Sequence, residues 1–276
     1  MQEALRKVFA VAVIEFRFGF RRGGPVVALS VISLVIIGSF FFFADFNSRD
    51  LPEIYSPEIG ARALEMTWPG FISLSLIVLP LISSSTIPVD RQYRVLELLT
   101  SYPINGWIYL TGKILGTWAV LLFVGLLALL LHFGLHLVLV GPMQLDLYLK
   151  LTLFAGIPVI LWASALGIFT GAFLSSRRNA IVFGFLIGLL SVFPTTQAFR
   201  IIPNSFPFGM SVSSYRINMM TRLVTSDYVF QQYGLVSDFI PKVSPFQVFQ
   251  MIVCGIFALL IMLSITRAWL LHKENF

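Results

Sequence analysis

Long uncharged stretches, each closed off by charged residues, are the dominant pattern of this chain. Between Arg22 and Asp45 lie 22 uncharged residues, between Glu65 and Asp90 lie 24, and between Lys113 and Asp146 lie 32. Between Lys150 and Arg177 lie 26, between Arg178 and Arg200 lie 21, and between Lys242 and Arg267 lie 24. A helix of about 20 apolar residues crosses the roughly 30 Å of bilayer hydrocarbon, so each stretch predicts one membrane span. The six spans are expected at 25–44, 67–88, 114–140, 151–174, 180–198 and 246–266. Gly141-Pro142 is the natural stop of the third.

The segments between the spans carry the remaining structure. In residues 1–22, Leu5, Val8, Phe9, Ala12, Val13, Phe16 and Phe20 fall near i, i+3, i+4 spacing, while Val11, Ile14 and Phe18 lie off the stripe. That pattern predicts a helix lying in the inner membrane surface with its basic residues toward the headgroups. It does not fit a cleaved signal peptide, because the apolar run at 8–14 is short and Glu15 and Arg17 follow it directly. Residues 199–245 are bracketed by Pro203, Pro207, Pro241 and Pro245 and predict an external helical segment, with an amphipathic helix at 215–233. The expected architecture is an all-α integral membrane protein built as one transmembrane domain over 1–276.

Charge sets the orientation. With the N-terminus inside, the inner segments hold 12 cations and 5 acids, and the outer ones 7 cations and 8 acids. The Lys/Arg excess marks the cytoplasmic side, most reliably in short loops such as the one carrying Arg177-Arg178, so both termini are expected inside. A plasma membrane of bacterial or archaeal type is the expected location.

Composition narrows the function classes. The chain is 57% hydrophobic and 12% charged, with a mean hydropathy of +0.88. Soluble domains carry about a quarter charged residues, so a soluble enzyme is excluded, and so is a charge-rich disordered chain. The net charge of +6 reads as cationic loops facing anionic lipid, with no nucleic-acid partner. Cys254 is the only cysteine, which leaves no internal disulfide and no thiolate cluster.

Several motifs suggest chemistry and fall short of it. The predicted spans contain no Asp, Glu, Lys or Arg, which argues against a carrier driven by a titrating mid-membrane site. Gly106 to Gly112-Lys113-Ile114 imitates a phosphate loop but has one residue too many and lacks the final hydroxyl. His132 and His136 share one helix face, yet zinc needs a third ligand that no nearby sequence supplies; they read as packed or hydrogen-bonded side chains, and no metal site is expected. Ser83-Ser84-Ser85 has no base beside it and reads as hydroxyls easing helix packing or wetting a cavity.

The cytoplasmic stretch 90–103 is the informative one. Asp90, Arg91, Arg94 and Glu97 are polar, Val95, Leu96, Leu98 and Leu99 are apolar, and Pro103 ends the run before Asn105-Gly106 turns into the third span. A short amphipathic helix of this kind suits docking in another protein's groove or capping of the bundle. The stretch resembles the element joining spans two and three in ABC-2 type transporter permeases, whose usual form is close to E-R-E-x-G-T-L-E-x-L-L-x-[ST]-P. Asp90-Arg91, Leu96-Glu97, Leu99 and Pro103 fall in register with it, and Lys113 matches the lysine that commonly opens span three. Arg94-Val95 stands in place of Gly-Thr, Thr100 replaces the second leucine, and Tyr102 the small residue before proline.

The resemblance implies a dimer of permease subunits, each resting on a cytoplasmic ABC ATPase that binds the ATP and Mg. This chain would need no cofactor and perform no catalysis. Asp90, Arg91, Arg94, Glu97, Leu98, Leu99 and Pro103 would couple it to the ATPase. The resemblance also implies that spans two and five line the substrate pathway, where Phe71, Ser75 and Leu79 recur at helical spacing, as do Phe185, Leu189 and Phe193. An uncharged, Phe-rich pathway suits a hydrophobic or amphipathic cargo such as a lipid, peptide, drug or glycan-type molecule. A non-transporting scaffold or assembly factor, and a secondary carrier or channel, are the alternatives. A companion gene with a phosphate loop separates the first from an exporter, and transport by this chain alone would favour the second.

Overall fold

The computed structural model describes residues 2–21, 23–47, 57–95, 104–141, 145, 148–149, 152–192, 257, 259–270 and 272, and among them there is no strand. The helices are α1 (Gln2–Arg21), α2 (Gly24–Asn47), α3 (Pro57–Ser83), α4 (Thr86–Gln92), α5 (Gly106–Leu139), α6 (Ile157–Ala172), α7 (Arg177–Val192) and α8 (Leu259–Leu270). Among the described residues three stretches are long and apolar enough to cross a membrane: Gly24–Phe41, Gly70–Gln92 and Gly106–Leu139. Ile157–Ala172 and Leu259–Leu270 are apolar but shorter. The segment at 199–245 and the first part of the expected sixth span lie outside the described residues.

Local chemistry explains the boundaries. Asn105 caps α5, its side chain accepting from the Trp107 amide at 2.9 Å, so the third long helix starts at Gly106, ahead of the Lys113 boundary that charge alone suggests. It ends at Leu139, where the amides of Val140 and Gly141 both donate to His136 O and Gly141 takes a φ of 115°. Before α6 the chain makes a π-helical turn, Thr152–Gly156. Pro158 follows in the first turn of α6, where its missing N–H disturbs no intrahelical bond.

The helices α2, α3, α5, α6 and α7 alternate in direction. Gly24 meets Ile82 and Gly70 meets Val35 and Ser39, so α2 and α3 are antiparallel. α5 opposes α3, since Thr67 reaches His132 while Asp90, beyond α3, reaches Lys113. Gly125 against Ile160, with Ile168 and Ala172 packed on Tyr109 and Leu110, makes α6 antiparallel to α5. α7 opposes α3, with Gly184 on Pro80 and Ser84 and Gly188 on Leu76 and Ile77. One end of the bundle thereby collects Arg91, Arg94, Lys113, Arg177 and Arg178. α8 joins it there, with Arg267 4.6 Å over the Trp107 ring and Trp269 5.3 Å from Phe173.

α3 is the central helix. Lipid tails are as apolar as leucine, so close backbone approach rather than burial from water holds such helices together. Gly167 and Gly171 on α6 and Gly184 and Gly188 on α7 each form a small-xxx-small pair, and α3 runs between them. A Cβ at Gly167 would meet Ser83 Oγ and Pro80 O; one at Gly184 would meet Ser84 Oγ and Pro80 O. The hydroxyls of Ser83, Ser84 and Ser85 donate to Leu79, Leu81 and Ile82 carbonyls at 2.8, 2.9 and 2.8 Å, so the serine run serves packing.

α1 packs on the bundle. It stands alongside the start of α5, running the same way, with Val8 and Val11 at Gly112, Ala12 and Glu15 at Gly116, and Phe20 5.6 Å from Phe123. Its buried residues are Val11 and Glu15, while Leu5, Phe9 and Phe16 are exposed. The face packed on protein takes in Val8, Ala12 and Phe20 of the apolar stripe read from the sequence, together with Val11 and Glu15, which lie beside it. Gly112 and Gly116 create the room, and Lys113 supplies a partner for a buried carboxylate.

Candidate functional site

The basic end of the bundle gathers charges from distant parts of the chain. Lys113 on α5 pairs with Glu15 of α1 and lies 2.5 Å from Asp90 Oδ2 on α4. Tyr109, one turn earlier on α5, donates from its hydroxyl to the same Asp90 oxygen at 2.8 Å. Glu15, Asp90 and Lys113 are only 3, 3 and 5% exposed, and Tyr109 is fully buried. An ammonium and carboxylates removed from water are tolerable only when they satisfy one another.

Arg91, next to Asp90, points the other way. Its Nη1 donates to Leu174 O at 2.8 Å and its Nη2 to Ala172 O at 2.9 Å. Those are orphan carbonyls at the C-terminus of α6, where a cation also complements the helix dipole. The acid-base pair of the 90–103 motif thus has two internal jobs. Asp90 fastens α4 to α5, whose Lys113 also holds Glu15 of α1, and Arg91 fastens it to α6.

The outward side of the same element is different. Tyr93 and Arg94 are exposed, and Arg94 has a φ of 55°, with its amide donating to Arg91 O at 3.1 Å. A side chain in the left-handed region costs about 1–2 kcal/mol relative to glycine. The motif places glycine at this position, and the backbone of this chain keeps the glycine conformation without the glycine. Beside it is a groove of about 740 Å³ lined by Arg91, Gln92, Ser175, Ser176, Arg177 and Arg178. Glu97, Leu98, Leu99 and Pro103 lie outside the described residues.

Of the residues expected along a pathway, those on α3 are buried and the two described on α7 are more open. Phe71, Ser75 and Leu79 are fully buried, with Phe71 and Leu79 in the core that α3 forms with α2, α5 and α6, and Ser75 Oγ donates to Phe71 O at 2.7 Å. Phe185 is 40% exposed on α7, and Leu189 is half-buried. Phe193 lies outside the described residues.

At the opposite end, Thr67 Oγ1 donates to Ala63 O at 2.7 Å, so the Nε2–H of His132 must be the donor in its 2.9 Å bond to Thr67 Oγ1. Phe40, Trp68 and Tyr148 surround His132 with ring centroids 5.0, 5.4 and 5.8 Å away. His136 packs on Phe40 at 6.2 Å. Among the described residues no group of three or more His, Cys, Asp or Glu is placed to hold a metal ion.

A helical membrane chain whose 86–95 element is stapled into the bundle by its own motif residues matches one family. The model of the ABC-2 family transporter protein covers residues 43–268. The chain belongs to this family. The ABC-2 permease is the membrane component of a transporter, not itself a catalyst, and its family associates with an ATPase subunit. No curated protein matches this permease closely enough to count as a relative.

Sequence reasoning missed Glu15 and Tyr109 as functional residues and noted Lys113 only as a motif match. The i, i+4 glycine pairs were the available signal, since Gly112-xxx-Gly116 predicts a helix in close contact there and α1 is the helix that fills it.

Proposed function

We propose that this permease is the passive membrane subunit of an ATP-driven exporter. Two such subunits, identical or homologous, pair in the plasma membrane with N- and C-termini inside, and each rests on a separate ABC ATPase that holds ATP and Mg. The observation that carries the reading is the construction of α4. Buried charges fix its inner side to α1, α5 and α6, while Tyr93, Arg94 and the arginine-lined groove face outward at the basic end.

A partner pressing on this surface would move four helices together, which suits rigid-body rocking driven by closure of the ATPases. Glu97, Leu98, Leu99 and Pro103 extend the same contact. The pathway forms between two copies, with Phe185 on the exposed face of α7 toward it, and Phe71, Ser75 and Leu79 supporting it from the core. The cargo is hydrophobic or amphipathic.

Co-purification tests this directly. Arg94→Glu and Glu97→Arg are each expected to lose the ATPase from the detergent-solubilised complex while the permease still inserts in the membrane. Full retention of the ATPase by both variants would contradict the docking role.

A further inference from the structure

A second cavity, of about 320 Å³, borders the charge cluster at Glu15, where α1 hands over to α2. Its wall includes Glu15, Ser83, Ser85, Thr86, Thr117 and Arg177, and the rest is glycine and aliphatic side chain. Gly23, with a φ of 73°, turns the chain at its edge, and a Cβ there would meet nothing within 4 Å. Val27 and Arg177, both exposed, stand at the mouth between α2 and α7. The volume sits at the lower end of small-molecule sites.

Thr117 is the telling residue. The other buried serines and threonines around the cavity, Ser83, Ser84 and Thr86, donate their hydroxyls to backbone carbonyls three or four residues earlier; of the two buried hydroxyls left without a partner among the described residues, those of Thr117 and Thr152, only that of Thr117 lines this cavity. Thr117 is 5% exposed, its Oγ1 has no hydrogen-bond partner, and it lines the cavity. A buried hydroxyl without a partner is costly unless something else supplies one.

We propose that this cavity binds the neutral, hydroxyl-bearing head of an amphiphile, its apolar chain leaving between α2 and α7. The hydrogen-bond inventory selects that head. Ser83, Ser85 and Thr86 have given their hydrogens to Leu79, Ile82 and Ser83 carbonyls, so their oxygens can only accept. Thr117 both donates and accepts, and Arg177 donates from the rim. A head that donates several bonds and accepts a few satisfies this wall. An anionic head would face the three acceptor oxygens of Ser83, Ser85 and Thr86 and the Glu15 carboxylate. A cationic head would face Arg177, while Glu15 already pairs with Lys113. Hydroxyl groups match without either conflict. The site needs neither an ATPase nor transport, so it stands apart from the exporter reading.

The test is ligand binding to the full-length permease purified in a sugar-free amine-oxide detergent. Octyl glucoside, octyltrimethylammonium and octyl phosphate are titrated, and bound molecules are counted by native mass spectrometry. One octyl glucoside per chain is expected, with at least tenfold preference over both charged amphiphiles. Thr117→Val, which keeps the shape and removes the hydroxyl, is expected to weaken it about fivefold. Ser85→Phe, which fills the cavity, is expected to abolish it, and Ser30→Val on the outer surface of α2 is expected to leave it unchanged. Equal binding of all three amphiphiles, or unchanged octyl glucoside binding by a folded Thr117→Val protein, would overturn the proposal.

Discussion

The two ends of the bundle are held together by opposite kinds of chemistry. At the basic end, Lys113, Asp90, Glu15 and Tyr109 join three helices through buried charge, and Arg91 adds a fourth. At the other end, Phe40, Trp68, Tyr148 and His132 join helices by ring packing and one neutral hydrogen bond. Aromatic packing tolerates small shifts, because its attraction falls gradually with distance and direction. A buried ammonium between carboxylates does not, because each ångström lost is felt at low dielectric. The difference assigns stiffness to the end where α4 faces outward and adaptability to the end beyond it. A lever needs that asymmetry.

The largest expected effect comes from taking the cation out of the charged end. Lys113→Met leaves Asp90 and Glu15 buried without it and should destabilise the protein by about 3–5 kcal/mol, read as a large fall in detergent melting temperature. Adding Asp90→Asn and Glu15→Gln to it should restore most of the loss. If the triple variant were as unstable as Lys113→Met, the cost would lie in packing rather than charge.

Gly167→Val comes next, since it pushes a branched side chain into Ser83 and Pro80. About 1–3 kcal/mol is expected from overpacking, with separation of α6 from α3 seen as a broadened melt. The aromatic end should respond less. Thr67→Val removes the acceptor for the His132 N–H and should cost about 1–2 kcal/mol without affecting ATPase retention. Loss of the ATPase from that variant would remove the contrast between the ends.

The smallest effect has the opposite sign. Arg94→Gly relieves a left-handed backbone and should stabilise the isolated permease by about 1 kcal/mol. The same change removes a cation from the outward face, so stability should rise while ATPase retention falls. A stability loss would mean that Arg94 holds the element by a side-chain contact.

Much of this was legible in the sequence, and the reasons differ by region. Uncharged run lengths located α2, α3 and α5, because hydrocarbon thickness sets a length that composition reveals. They did not mark where the helix α5 itself begins, because a charge is a poor marker of a helix end when it is buried in an ion cluster, as Lys113 is. The 90–103 motif singled out Asp90 and Arg91 but not the direction of their side chains. An acid and a base in a short loop suggest exposure, whereas Asp90 and Arg91 turn inward toward groups 19 and 83 or fewer residues away in sequence. Hydrophobic periodicity caught only part of the packed face of α1, marking Val8, Ala12 and Phe20 but not the buried Val11 and Glu15. There the glycines on the partner helix were the better guide. The cavity beside Thr117 was not legible at all, since an unpaired hydroxyl is a property of tertiary geometry.

The most direct measurement is the mass of the intact complex released from its native membrane in mild detergent. Two permease chains with two copies of a nucleotide-binding ATPase are expected for the wild type, and permease without ATPase for Arg94→Glu. A wild-type permease recovered by itself, hydrolysing nucleotide or driving cargo uphill in vesicles with no other protein present, would contradict the account.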